Sequence, residues 1–268
     1  MKLIYLFDKW IKPHTMRGTK ICHPADTGIV GGGMSCIREH DVNIWTYTKG
    51  ETIIAFDAGH LNFKDINSHF SKINVCSDTV QAVFITHADV DHGGGIDRNG
   101  NNIFPNAEVY LGENEEAYIR NTTYRFKCFG IEIKNCVKFN DGYRLLKDKE
   151  CIYIGDIKVQ ALFTPGHTLG HTCYLVDDRI LITGDCLAIN KHGGYSFFGF
   201  VTQYPEINKK SLQELKKRVS SKEIELVCTG HSGYFGDVEH LFDHIDKTAQ
   251  GSKRHPFDET APADVYSQ

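Results

Sequence analysis

The segment Thr86-His87-Ala88-Asp89-Val90-Asp91-His92-Gly93-Gly94 holds four potential metal ligands within six residues. His87 and Asp89 are two apart, so on an extended segment they face the same side. Asp91 and His92 follow as the chain turns at the glycines. Such a group is either a metal site or a costly charge cluster. Three more segments place His or Asp where an apolar run ends: Thr164-Pro165-Gly166-His167, Gly184-Asp185 and Thr229-Gly230-His231-Ser232-Gly233. A hydrated surface loop would account for the first segment but leave the others unexplained. Seven side chains, His87, Asp89, Asp91, His92, His167, Asp185 and His231, can surround two metal ions. Such a pair lowers the pKa of a bound water toward neutrality and polarises a substrate carbonyl or phosphoryl oxygen, so no Ser or Cys nucleophile is needed.

Neighbouring residues are read more plainly. His171, four residues after His167, braces the turn rather than binding metal. Cys186 is a core thiol whose side chain points away from that of Asp185. The stretch from His192 to Phe200 is glycine-rich and aromatic. It could line an apolar pocket at the metals, or equally cover a sandwich edge or a dimer contact. His192 itself is a solvated loop residue.

These residues need elements to position them. Strands are expected over 42–47 and 52–56, forming a hairpin, and over 80–85, 109–111, 157–163, 172–176, 180–183 and 224–228. Helices are expected over 63–73, from 113 to 119, over 211–219 and over 238–245. Residues 121–150 show no clear period and read as an irregular insertion between two halves. Gly31-Gly32-Gly33 is a bend, without the Lys-Ser/Thr that a phosphate loop requires. Residues 1–40 read as an N-terminal extension and 251–268 as a C-terminal tail of one domain spanning 1–268. Hairpins mixed with helices fit an α/β, four-layer α/β/β/α sandwich better than a doubly wound sheet.

Composition narrows the partners. The chain has 268 residues, 41% hydrophobic and 24% charged, as expected of a globular protein with a full core. A net charge of −4 provides no basic field for nucleic acid. Nine cysteines without a C-x-x-C pair argue against a disulfide framework or a zinc ribbon, and for reduced thiols in the cytosol. The apolar start, Met1 to Phe7, is broken by Asp8 and Lys9 and is too short for a signal peptide, and no stretch reaches transmembrane length. The expectation is a cytoplasmic protein acting on a small-molecule substrate, without nucleic-acid or membrane partners, and with a homodimer left open.

Over roughly residues 40 to 245 the chain resembles the metallo-β-lactamase-fold superfamily. The family pattern, His-x-His-x-Asp-His followed by a distant His, Asp and His, is matched at His87, Asp91, His92, His167, Asp185 and His231. Asp57-Ala58-Gly59 looks like the family's early Asp-x-Gly turn. The resemblance implies a metallo-β-lactamase-like sandwich with two divalent ions, zinc foremost. His87, position 89 and His167 would hold the first, Asp91, His92 and His231 the second, and Asp185 would bridge them. It also suggests Tyr195 as a hydrogen-bond donor to an oxyanion, as in some lactonases of this fold.

Position 89 departs from the pattern, which has His there. Asp89 would add a third carboxylate and favour harder cations, making iron or manganese plausible. Alternatively, its short side chain sits just outside bonding range. The expected function is hydrolysis of a small ester-like substrate, such as a lactone or thioester, by a metal-bound hydroxide. Asp91 would accept a hydrogen bond from that hydroxide and pass a proton to the leaving group. The alternative is a di-iron oxygen- or nitric-oxide-binding or reducing protein related to the flavodiiron core, which carries Glu at this position. A third class, a binding module that kept only the fold, is disfavoured by six intact ligand positions.

Overall fold

Apolar side chains line both faces of two large sheets, which explains why so many strands read as continuous apolar runs. The computed structural model describes residues 22–249, apart from 62, 64, 65 and 237, together with residue 6. The expected tail over 251–268 lies outside the described residues.

The first sheet has the order β1 (Gly28–Gly31), β2 (Met34–Glu39), β3 (Val42–Lys49), β4 (Thr52–Phe56), β5 (Ala82–Ile85), β6 (Glu108–Gly112) and β9 (Arg144–Leu146). It is antiparallel from β1 to β4 and parallel from β4 onward. The second sheet runs β10 (Cys151–Ile154), β11 (Ile157–Phe163), β12 (Thr172–Val176), β13 (Ile180–Gly184), β16 (Leu226–Thr229) and β17 (Tyr234–Phe235). Two smaller sheets complete the set: the hairpin β7 (Phe126–Cys128) and β8 (Ile131–Ile133), and β14 (Leu187–Asn190), β15 (Gly193–Ser196) and β18 (His244–Thr248).

The alternation of side chains builds the layers. Trp45, Tyr47, Phe56 and Phe84 from the first sheet meet Val159, Tyr174, Val176 and Ile182 from the second in a central core. Their sequence neighbours Ile44, Ala55, Val83 and Ile85 face outward onto Phe70 and Ile73 of the α1 region (Ile66–Lys72) and Tyr118 and Ile119 of α2 (Glu116–Ile119). On the far side, Leu175, Leu181 and Val227 meet Leu212, Leu215 and Val219 of α3 (Pro205–Val219). The result is the expected α/β/β/α sandwich.

Five expectations are corrected. Residues 28–39, placed in an N-terminal extension, are two strands of the first sheet. The helix expected from Ser211 begins at Pro205, whose missing N–H is not needed in a first helical turn. The helix expected over 238–245 is instead a turn leading into β18, which runs parallel to β15. Gly194 permits this close approach, because a Cβ there would collide with the Leu241 carbonyl. β15 also forms a hairpin with β14, which takes up residues 193–196 of the expected 192–200 loop. Finally, the segment 121–150 is not irregular throughout: it carries the β7–β8 hairpin and the strand β9.

Asp177, in the turn between β12 and β13, straps the two sheets together. Its carboxylate accepts hydrogen bonds from Tyr47 Oη at 2.9 Å and Lys49 Nζ at 2.8 Å in β3, and from the Lys158 amide at 2.9 Å in β11. Burial alone would raise this carboxyl, but the bonds from Lys49, the Lys158 amide and Tyr47 outweigh it and hold it below its ordinary value. Asp177→Ala is expected to destabilise the fold by about 1 to 2 kcal/mol at neutral pH, a figure discounted for the partly exposed Lys49. A carboxyl lowered on folding contributes fully above its unfolded value of about 3.9 and loses that contribution as pH falls through the folded value. Urea denaturation of both proteins should therefore show the difference at pH 7 shrinking below about pH 4; a constant difference would refute the strap.

Candidate metal centre

Each expected ligand lies where a strand runs out at one edge of the sandwich. His87 to His92 follow β5, His167 follows β11, Asp185 follows β13 and His231 follows β16. Backbone bonds between the strand ends lock these loops together: the Thr172 amide to Thr86 O at 2.9 Å, the Gly230 amide to Gly184 O at 3.0 Å, and the Asn43 amide to Gly230 O at 2.8 Å. Gly230 is required on steric grounds, since a Cβ there would collide with Asp185 Oδ1.

The four histidines share one arrangement, with Nδ1 held from behind and Nε2 turned toward the cluster. His87 Nδ1 lies 3.0 Å from Thr86 Oγ1, His92 Nδ1 2.8 Å from Asp57 Oδ2, and His167 Nδ1 3.4 Å from Thr202 Oγ1. His231 Nδ1 meets the Asp41 carbonyl. Contacts of this kind set the tautomer and orientation of a ligating imidazole. Asp185 stands between the rings, 3.2 Å from His231 Nε2, 3.3 Å from His92 Nε2 and 3.8 Å from His167 Nε2.

Two candidate triads result. Ligand atoms of His87, His167 and Asp185 lie within 4.8 Å of one another, as do those of Asp91, His92 and His231. A metal fits what these residues lack: His87 Nε2, His92 Nε2 and Asp185 Oδ1 are buried with no hydrogen-bond partner. Such orphaned polar atoms are costly unless a cation completes them. The arrangement is consistent with a dinuclear metal site.

Charge within the cluster follows the same geometry. Burial disfavours a charged His92, but Asp185, Asp57 and Asp91 outweigh it and raise its pKa well above the ordinary value. Burial also opposes a charged Asp185, yet His231 and His92 hold its carboxyl well below the usual range. His167 goes the other way: burial and then the Arg125 charge push it down to about 3. It is therefore neutral near pH 7, the form that binds a metal.

Asp89 is the expected ligand that stands outside both triads. Its Oδ1 accepts from Arg125 Nε at 2.7 Å and its Oδ2 from Arg125 Nη2 at 2.7 Å, a two-pronged fork. Burial would raise this carboxyl, but the Arg125 charge, with His167 and His87, holds it well below the ordinary range. Arg125 is fully buried at the base of the β7–β8 hairpin, where its amide bonds Ile133 O at 2.8 Å. Asp89 and Arg125 together are electrically neutral, so the expected surplus of negative charge is cancelled.

Other functional neighbours carried weaker sequence signals. Asp57, noted only as a turn residue, accepts from the Thr86 amide at 2.8 Å and Thr86 Oγ1 at 2.9 Å as well as meeting His92. Glu115 is buried and ties the first ligand loop to the His167 turn, accepting from the Ala88 amide at 2.8 Å and Thr168 Oγ1 at 2.6 Å. His171 braces the turn as expected: Nδ1 meets Thr164 Oγ1 at 2.8 Å and Nε2 accepts from the Asp185 amide at 3.1 Å. Both its nitrogens are thereby engaged, and the nearby Cys173 and Cys186 thiols pack with it as part of the core. The Tyr195 ring lies against His244, centroids 4.9 Å apart. Phe197, two residues on, lies 5.4 Å from the His167 ring and 5.6 Å from the His231 ring.

Comparison with known proteins agrees with this geometry. The probable metallo-hydrolase YqgX of Bacillus subtilis (strain 168) is 28% identical over 192 residues, 70% of this chain and 84% of that protein. The probable polyketide biosynthesis zinc-dependent hydrolase PksB of the same organism is 36% identical over 106 residues, 40% of this chain. The probable hydroxyacylglutathione hydrolase glo2 of Schizosaccharomyces pombe (strain 972 / ATCC 24843) is 32% identical over 111 residues, again 40% of this chain. These last two matches span only 38% and 34% of the relatives' own lengths. Among solved structures, a metallo-beta-lactamase family protein from Thermus thermophilus superposes with a TM-score of 0.58 at 19% identity, covering 80% of this chain and 78% of that one. A B3 metallo-beta-lactamase with an active-site glutamic acid gives 0.59 at 16% identity, covering 86% and 92%. Identities this low establish the shared fold alone. The family model of the metallo-beta-lactamase superfamily, however, matches residues 37–231, well over half of the sequence and every ligand loop, and the chain belongs to that superfamily.

Proposed function

We propose that this metal-dependent hydrolase cleaves a small ester-like bond, a thioester or lactone, with zinc as its metal. The observation that carries the reading is the pair of triads abutting at Asp185, with buried ligand atoms left unpartnered. Two divalent ions bound there would activate water near neutral pH and polarise the acyl oxygen. The protein's own groups do the rest. His87, His167 and Asp185 hold one side of the centre; Asp91, His92 and His231 hold the other. In this reading Asp91, whose Oδ2 lies 3.3 Å from His231 Nε2 and 3.7 Å from His92 Nε2, accepts a proton at the centre and returns it to the leaving group. Phe197, packed against the His167 and His231 rings, backs the centre with an apolar side chain. Tyr195 is given no part in this reading; its ring lies against His244.

The acyl-thioester preference draws on the partial likeness to a probable hydroxyacylglutathione hydrolase, and the choice of zinc on that to a probable zinc-dependent hydrolase. We set the di-iron alternative second, since Arg125 pairs with the carboxylate that suggested it. No helix among the described residues is long and apolar enough to cross a membrane. None of the nine cysteines forms a disulfide, which suits a reducing compartment. We place the protein in the cytoplasm on that ground, acting on a diffusible substrate.

Stripping the metal with a chelator is expected to lower hydrolysis of a short acyl thioester by about a hundredfold or more, with zinc restoring it. A panel of thioesters, lactones and simple esters assayed before and after reloading tests this. A fully loaded protein that leaves every member of the panel intact would exclude the proposed substrate class.

A further inference from the structure

Arg125 touches more than Asp89. Its Nη2 lies 3.0 Å from His167 Nε2 and donates to Val201 O at 2.8 Å. Nε2 is the only nitrogen of His167 turned toward the cluster, because Nδ1 faces Thr202. The guanidinium thus sits against the atom that a metal in the first triad would need. Asp89 Oδ2 is itself 3.2 Å from His167 Nε2 and 3.5 Å from His87 Nε2, so it is near enough to ligate if Arg125 released it.

The second triad is supported differently. Behind His92 stands the Asp57 carboxylate, and behind His231 the Asp41 carbonyl. Both are strong acceptors that make the opposite nitrogen a better ligand. Behind His87 and His167 stand only the Thr86 and Thr202 hydroxyls. The first position therefore has weaker support behind its imidazoles and a fixed cation at its edge.

From this juxtaposition we propose that Arg125 makes the two metal positions unequal. The ion held by Asp91, His92 and His231 loads first and tightly. The ion held by His87, His167 and Asp185 loads second and weakly, after Arg125 Nη2 gives up His167 Nε2. Asp89 is the counter-ion of Arg125 and not a metal ligand. Arg125 acts as a positioning residue, and the inference rests on the dinuclear reading above.

The test is a cobalt(II) titration of the metal-stripped full chain, followed by calorimetry and by visible absorption of the bound ion. Wild type is expected to show two steps separated by about a hundredfold. Arg125→Met frees both His167 and Asp89, so its second step should tighten about tenfold while the first stays unchanged. Removing one partner of a buried ion pair can compromise folding, whereas removing both leaves no uncompensated charge. The double variant Asp89→Asn/Arg125→Met therefore supplies the decisive comparison. Its second step should be at least as tight as in wild type, because Asp89 is not a ligand. Loss of that step in the double variant would make Asp89 a ligand and overturn the proposal. Two wild-type steps of equal affinity would overturn the inequality while sparing the dinuclear reading. A wild-type protein that binds no ion would remove that reading itself.

Discussion

Asp185→Asn is expected to weaken both metal positions together and to lower hydrolysis by about a thousandfold, equivalent to about 4 kcal/mol of barrier. The reason is geometric. One Asp185 oxygen faces His92 Nε2 at 3.3 Å, while the other faces His231 Nε2 at 3.2 Å and His167 Nε2 at 3.8 Å. Among the described residues Asp185 is the carboxylate seen to reach histidines of both triads in this way; Asp91 meets His92 and His231 of the second triad, and Asp89 is held by Arg125. The amide keeps the shape of the side chain but removes the charge that attracts two cations. Elemental analysis after dialysis against limiting zinc, alongside the rate at saturating zinc, measures both effects. Retention of two ions with wild-type rates would show that Asp185 does not join the positions.

Asp57→Ala should be the most destabilising single change at the site, by about 4 kcal/mol. Three buried donors lose their acceptor at once: the Thr86 amide, Thr86 Oγ1 and His92 Nδ1. The backbone adds to the loss, since Asp57 has φ 59° and alanine occupies that left-handed region less readily than aspartate. The strain is placed where the β4 loop must clasp the ligand loop, and the Ala58 amide donates to His92 O at 2.6 Å. A loss of about 4 kcal/mol is a large share of the stability of an ordinary domain. Urea denaturation should show a lower midpoint with an unchanged slope. Affinity at the His92 position should fall by about ten- to a hundredfold, because the imidazole loses its orienting partner. A stability change under about 1 kcal/mol would mean that water replaces the carboxylate and that Asp57 is only a turn residue.

Arg125 changes the meaning of Asp89. A third carboxylate beside two cations argues for a harder metal only while its charge is unopposed. Paired side-on with a guanidinium, it becomes half of a neutral unit standing where the family pattern has a histidine. Both the choice of metal and the case for redox chemistry rested on that charge.

The ligand loops and the sandwich were legible in the sequence because their signals are local. A His or Asp directly after an apolar run identifies a strand end, and two-residue spacing gives a shared side, so the loops at 87–92, 167, 185 and 231 needed no contact map. Burial of both sheet faces follows from continuous apolar strands. Other features were not legible because they depend on partners far along the chain. Arg125 lies 36 residues from Asp89 in a segment without periodicity, and nothing local distinguishes it from a surface arginine. The stretch 238–245 reads as a helix because its apolar spacing suits one, and only the close approach of Leu241 to the bare backbone of β15 decides otherwise. Tyr195 and Phe197 are chemically plausible pocket residues two positions apart, and packing against His244 or His167 separates them. Residue types and their order thus determined which groups do chemistry and the edge on which they gather. The tertiary structure alone decided which charges remain, because a charge counts only after its buried neighbours are known.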